Sequence, residues 1–252
     1  MLFRALVLAV LLLPAGALRA GEVAGKQSLV FDGRSRTYYL YIPDAMTPAP
    51  RPLIVLLHGS GGNGLAMIER WRDEAAREGI LLLAPDSLHT DVGWDIHNDG
   101  PDYIHVVIHA VAVGHAIDFH RIYVFGQSGG AVYALNLAML ESEYFAAAAY
   151  HAGGWRQLAE YRFADYARRK IPVAAYVGDK DEYFSVRSVQ TTQRVLTQHG
   201  IPAELHLLPG GVHAYSDVPK DFHETVWNFL KASALIDIPK YTPYRFGAVP
   251  IR

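Results

Sequence analysis

The chain contains no cysteine. That excludes disulfides, a thiol nucleophile, thiolate metal sites and anchoring through a lipidated cysteine, so a stable fold must come from core burial alone. Charge of one sign is also missing: 23 Lys and Arg stand against 25 Asp and Glu, a formal net charge of −2. No basic patch runs along the chain to draw nucleic acid or an anionic membrane surface. Internal repeats, low-complexity tracts and linker-like stretches are absent as well. The apolar run from Ala5 to Leu13 is too short for a membrane anchor, which needs ~20 residues in helical form. It follows a positive start at Arg4 and precedes Pro14 and the small residues Ala15-Gly16-Ala17, with Ala20 a second plausible end point. That pattern reads as an export signal over residues 1–20, which places the product outside the cytoplasm, secreted or periplasmic. The remainder, 21–252, reads as one domain.

What is present is a regular alternation. Arg36 to Ile42 alternates and is β-rich, a strand expected near a sheet edge. Pro52 to Leu57 is a continuous apolar run, as expected of a strand covered on both faces. Helical spacing follows over Leu65–Glu78, then a strand over Ile80–Ala84 and a helix over Tyr103–His115. Strands at Arg121–Phe125, Phe145–Tyr150, Ile171–Val177 and Glu204–Leu208 are separated or followed by helices at Ala131–Leu140, Ser188–His199 and Asp221–Ala232. Strands and helices in that order predict an α/β fold with a mostly parallel sheet and helices on both faces. The long polar stretch from Asp86 to Asp102 follows a strand end, where open α/β sheets place ligand-contacting loops.

The sharpest chemical feature is Gly126-Gln-Ser128-Gly-Gly130, set between the strand ending at Phe125 and the helix starting at Ala131. A serine on such a strand-to-helix turn projects its hydroxyl from the carboxyl edge of the sheet, and the flanking glycines let strand and helix pass. A serine hydroxyl needs a base and a group that orients the base. After the strand ending at Val177 come Gly178-Asp-Lys-Asp181, which offers Asp181 as the acid, with Asp179 the alternative; after the last strand, Pro209-Gly-Gly-Val-His213 offers His213. His206, inside that strand, and His151, ahead of the acid in chain order, do not fit the base. An oxyanion needs two backbone N–H donors. Gly129 follows the nucleophile, and the loop His58-Gly-Ser-Gly-Gly62 offers Ser60 or Gly61. That loop has neither the ending of a P-loop nor the spacing of a dinucleotide site. No His-Glu-x-x-His or convergent ligand set suggests a metal, and no cofactor is implied. Trp94, Tyr103, Trp155, Tyr183 and Tyr215 are the aromatic candidates for a substrate pocket.

The segments Pro52–Gly62, Val124–Gly130, Val177–Phe184 and Pro209–Tyr215 resemble, in order, those of the α/β-hydrolase esterases grouped with polyhydroxybutyrate depolymerases and feruloyl or acetylxylan esterases. The resemblance implies an α/β-hydrolase fold with Ser128 as nucleophile, Asp181 as the acid of a Gly-Thr-x-Asp turn and His213 as the base of a Gly-Gly-His loop. Here Asp179 replaces the threonine and Val212 precedes His213. The expected activity is hydrolysis of carboxylic esters, small or polymer-borne, through an acyl-enzyme. The alternatives are a serine peptidase of the same fold, for which the chain has no room for a gating domain, and a catalytically silent binding protein. Nothing in the sequence sets an oligomeric state.

Overall fold

The computed structural model of the chain describes residues 25–44 and 50–243. The expected export signal at residues 1–20 lies outside the described residues, and among those described no helix is long and apolar enough to cross a membrane.

The first strand, Gln27–Phe31 (β1), is one the sequence does not announce: only Leu29 is buried, and Val30 is 56% exposed. It forms an antiparallel hairpin with Arg34–Tyr41 (β2) through Asp32 and Gly33, both at positive φ (48° and 72°). An Asp-Gly pair suits the two-residue turn that matches strand twist. The strand expected near the edge is thus second in the sheet, with β1 outside it.

Six further strands complete the sheet: Arg51–Leu57 (β3), Leu81–Pro85 (β4), Ile117–Gln127 (β5), Ala147–His151 (β6), Val173–Gly178 (β7) and Ala203–Leu208 (β8). Their order is β1-β2-β4-β3-β5-β6-β7-β8, antiparallel as far as the β2–β4 pair and parallel from β4 to β8. The connecting helices are Gly64–Glu78 (α1), Pro101–Gly114 (α2), Gly129–Leu140 (α3), the single turn Leu158–Tyr161 (α4), Val186–Gln198 (α5) and Phe222–Leu230 (α6).

The period-2 pleat of β3 divides the core. Leu53, Val55 and Leu57 pack on the side of α2, α3 and α5, while Ile54 and Leu56 pack on the side of α1 and α6. Both faces being covered, β3 reads as an unbroken apolar run. Because β3 to β8 run parallel, their carboxyl ends open onto one edge, and every loop named above as chemically significant leaves from that edge.

The chain after α6 returns across α2 and α3. Leu235 N–H donates to the His120 carbonyl (2.8 Å), Lys240 N–H to the Glu143 carbonyl (3.0 Å), and Tyr241 stacks on His105 at 3.7 Å. Beneath it, Glu141 is 4% exposed. Burial pushes its carboxyl up to about 8, against a weaker opposing pull from the Thr242 N–H. A raised folded-state value means that the protonated folded form is favoured below the unfolded range, and that this stability is lost as pH rises from about 5 through 8. Glu141→Gln keeps the acceptor and never ionises. Its effect on stability is expected to be about 3 kcal/mol more favourable at pH 8 than at pH 5. Thermal melts at the two pH values check this, and an equal effect at both would contradict it.

Candidate active site

Ser128 sits where β5 passes into α3, with φ 53° and ψ −118°. Left-handed backbone is unfavourable for a residue with a Cβ and persists only where its surroundings impose it. The neighbours explain the geometry. A Cβ on Gly126 would lie 2.0 Å from the Gly130 carbonyl oxygen, and one on Gly130 would lie 2.2 Å from that of Leu57. Only glycine at both positions lets the strand, the turn and the helix cross so closely. The Ser128 N–H donates to the His151 carbonyl (3.0 Å), fastening the turn to β6, and the Ser128 carbonyl accepts from the N–H groups of Ala131 (2.9 Å) and Val132 (3.2 Å).

Two other loops converge on this turn. The loop after β7 and the loop after β8 run against each other: Lys180 N–H donates to the Gly211 carbonyl (2.9 Å), and a Cβ on Gly178 would lie 2.1 Å from that same oxygen. Asp179 Oδ1 accepts from Gly210 N–H (2.8 Å) and so is committed to the turn ahead of His213. The carboxylate in contact with the imidazole is that of Asp181. His213 Nδ1 lies 3.0 Å from Asp181 Oδ2 and 3.2 Å from Oδ1, and His213 Nε2 lies 2.9 Å from Ser128 Oγ. The Asp181 side chain is fully buried, and its Oδ1 also accepts from the N–H groups of Tyr183 (2.8 Å) and Phe184 (2.7 Å). A carboxylate only accepts, so Nδ1 carries the proton and Nε2 offers its lone pair to the serine hydroxyl. The Phe184 ring lies near-parallel to the imidazole, 5.9 Å away at 13°, and Tyr183 flanks it at 4.7 Å.

The remaining wall comes from the loop after β3. A Cβ on Gly129 would lie 2.7 Å from Ser60 Oγ and 3.4 Å from Ser60 N, which puts the Ser60 amide beside the first turn of α3. Gly129 N–H, in that first turn, has no intrahelical acceptor. Gly61 corrects the sequence expectation: its N–H donates to the Thr90 carbonyl at 2.7 Å and is not free for a ligand. His58, 1% exposed, supports the loop. Its Nδ1–H donates to the Gly59 carbonyl (2.8 Å) and its Nε2 accepts from Ser87 N–H (3.1 Å). Burial lowers its proton affinity, and protonation would set two N–H donors face to face.

The aromatic candidates divide. Trp94 is half-buried, donates Nε1–H to the His58 carbonyl (2.8 Å) and stacks on Tyr133 at 4.9 Å. Tyr183 is 63% exposed next to His213. The other three are core residues, against the sequence expectation. Tyr103 is fully buried under the Arg36 guanidinium (3.6 Å). Trp155, also fully buried, donates Nε1–H to Asn136 (2.8 Å). Tyr215 takes the Trp71 Nε1–H (3.0 Å) and faces His223 Nε2 (2.9 Å) behind the His213 loop. Each finds a polar partner inside the protein, the Tyr103 hydroxyl donating to the Thr37 carbonyl (3.3 Å), as buried Tyr and Trp usually do. His151 is 1% exposed below the site and held neutral by burial, its pKa lowered to about 4. The sequence reading missed the parts played by His58 and by Arg36 and Asp99, which form a buried ion pair between β2 and the loop before α2. Arg36 carried a signal: it shares the inward phase of β2 with Tyr38 and Leu40. Among the described residues no group of three or more His, Asp or Glu side chains is arranged to hold a metal ion.

Comparison with known proteins gives a family and a fold. The model of the dienelactone hydrolase family matches residues 37–226. Feruloyl esterase B of Thermothelomyces thermophilus is 29% identical over 126 residues, 46% of this chain and 43% of that protein. The chain spans less than half the length of the curated relatives it matches. Among solved structures, Est1E from Butyrivibrio proteoclasticus with ferulic acid bound superposes with a TM-score of 0.65 at 18% identity, covering 82% of this chain and 98% of that one. LpqC, a poly(3-hydroxybutyrate) depolymerase from Bordetella parapertussis, gives 0.59 at 21% identity, covering 75% and 85%. These structures share the α/β-hydrolase fold.

Proposed function

Because the chain belongs to the dienelactone hydrolase family, we propose that it is an exported serine hydrolase that cleaves carboxylic esters through an acyl-enzyme on Ser128. The observation that carries this reading is the 2.9 Å contact between Ser128 Oγ and His213 Nε2, in line with the 3.0 Å contact between His213 Nδ1 and the buried Asp181. His213 takes the hydroxyl proton as Oγ attacks the ester carbonyl, Asp181 stabilises the imidazolium, and the amides of Gly129 and Ser60 receive the developing oxyanion. Collapse expels the alcohol with the proton from His213. Water, deprotonated by the same imidazole, then adds to the acyl-enzyme and releases the acid. Aryl, short-chain and hydroxyalkanoate esters are the proposed substrate classes, supported by relatives named for feruloyl esters and poly(3-hydroxybutyrate).

A fluorophosphonate reagent is expected to add one adduct per chain, located on Ser128 by peptide mass. The labelled protein should lose hydrolysis of p-nitrophenyl esters in proportion. A folded protein that fails to label would favour a silent binding protein, and faster turnover of an aminoacyl anilide than of the ester would favour a peptidase.

A further inference from the structure

Arg36 and Asp99 form an ion pair that is buried on both sides, with side chains 3% and 1% exposed. A buried pair of this kind is weak grounds for stability, since desolvation offsets the attraction. What distinguishes it is where the other lone pairs and N–H groups go. Asp99 Oδ1 accepts from Leu88 N–H (2.8 Å) and Oδ2 from Asp95 N–H (2.9 Å), so one carboxylate gathers both ends of the arm 88–95. Arg36 in turn donates to the carbonyls of Asn98 (2.9 Å) and Asp86 (3.3 Å), fixing the arm's roots to β2. Tyr133 of α3 donates its hydroxyl to the Asp99 carbonyl.

The arm then holds the loop after β3 at three places. The Thr90 carbonyl takes the Gly61 N–H at 2.7 Å. Trp94 Nε1–H reaches the His58 carbonyl at 2.8 Å. Gly93, at φ 112°, lies so close that a Cβ there would sit 2.7 Å from Ser60 Oγ. Between these contacts lies Ser60, whose amide nitrogen would be 3.4 Å from a Cβ on Gly129.

We propose that Asp99, held by Arg36, is a positioning residue for the oxyanion site: it shapes the arm 88–95, which fixes the peptide that points the Ser60 N–H at the reacting carbonyl. The inference rests on the hydrolase reading above. Losing the alignment of one oxyanion donor weakens an interaction made in the transition state, so it lowers kcat and leaves KM nearly alone.

The test is kinetic. In Asp99→Asn the amide can accept on only one atom, so one end of the arm is released and Arg36 loses its counter-charge. Expected with p-nitrophenyl acetate is a fall in kcat of about 30-fold, with KM within about twofold. Affinity for a methyl trifluoromethyl ketone, which forms a tetrahedral oxyanion on the serine, should fall by the same factor, and the pH–rate profile should keep its shape. Trp94→Phe retains the stack on Tyr133 but removes the bond to His58. It should reproduce the pattern at about 10-fold, and it decides the matter if Asp99→Asn does not fold. Unchanged kcat, loss confined to KM, or unchanged ketone affinity in the folded variants would overturn the proposal. Ser128→Ala run in parallel separates the two layers: its full activity would bring down the hydrolase reading, and this inference with it. A silent Ser128→Ala beside a wild-type Asp99→Asn would bring down the inference alone.

Discussion

Ser128→Ala is expected to lower kcat/KM for a p-nitrophenyl ester by about 10⁴- to 10⁶-fold while the protein melts within a few degrees of wild type. The two halves of that expectation have separate causes. The proposed covalent catalysis needs Oγ, and without it His213 has no hydroxyl to deprotonate; the proposed oxyanion donors alone would leave only a residual rate over water. The backbone at 128, by contrast, is set by Gly126, Gly130 and the bond from Ser128 N–H to the His151 carbonyl, none of which involves the hydroxyl. Alanine keeps a Cβ at φ 53°, so the strain of the turn is the same in both proteins. Activity within about tenfold of wild type in a folded Ser128→Ala protein would mean that another group carries the acyl transfer.

The parts of this architecture legible in the sequence are those encoded locally. The apolar run of β3 announces a strand buried on both faces, and Gly126 to Gly130 between an apolar strand and an apolar helix announces the turn, because the steric demand there falls on residues two positions away. The alternation of elements then fixes a parallel sheet whose loops share an edge. What the sequence conceals is decided by distant partners. Gly61 and Ser60 are adjacent in one glycine-rich loop, and only the carbonyl of Thr90, brought near by the arm after β4, occupies one amide and leaves the other. Tyr103, Trp155 and Tyr215 are as amphipathic as Trp94 and Tyr183. Their burial goes with partners inside the protein: the Thr37 carbonyl and the Arg36 guanidinium for Tyr103, Asn136 for Trp155 and Trp71 for Tyr215. The edge strand β1 alternates in burial, but polar Gln27 shares the inward phase with Leu29 and Phe31 while apolar Val30 faces out, so its residue types show no alternation to read. Arg36 and Asp99 lie 63 residues apart in the chain, so the ion pair emerges only once β2 meets the loop before α2.

The two aspartates of Gly178-Asp-Lys-Asp181 provide the second large contrast. In Asp181→Asn, the N–H groups of Tyr183 and Phe184, at 2.8 and 2.7 Å, demand an acceptor at the position of Oδ1. The amide oxygen takes that place, which turns the NH₂ group toward His213 Nδ1, where Oδ2 now lies at 3.0 Å. A donor then faces Nδ1, and the imidazole responds by moving its proton to Nε2. That tautomer presents N–H to Ser128 Oγ and has no lone pair with which to accept the serine proton. The expected result is a fall in kcat/KM of about 10⁴-fold with the geometry of the site intact. Asp179→Asn meets a different demand. Its Oδ1 serves Gly210 N–H at 2.8 Å, an acceptor role that an amide oxygen fills equally well. Its kcat/KM should stay within about threefold of wild type, the effect of a slightly weakened hydrogen bond to a loop. Measuring both variants on one p-nitrophenyl ester decides between the carboxylates: a large loss at 179 with a small one at 181 would transfer the orienting role to Asp179 and require His213 to adopt a different pose during turnover.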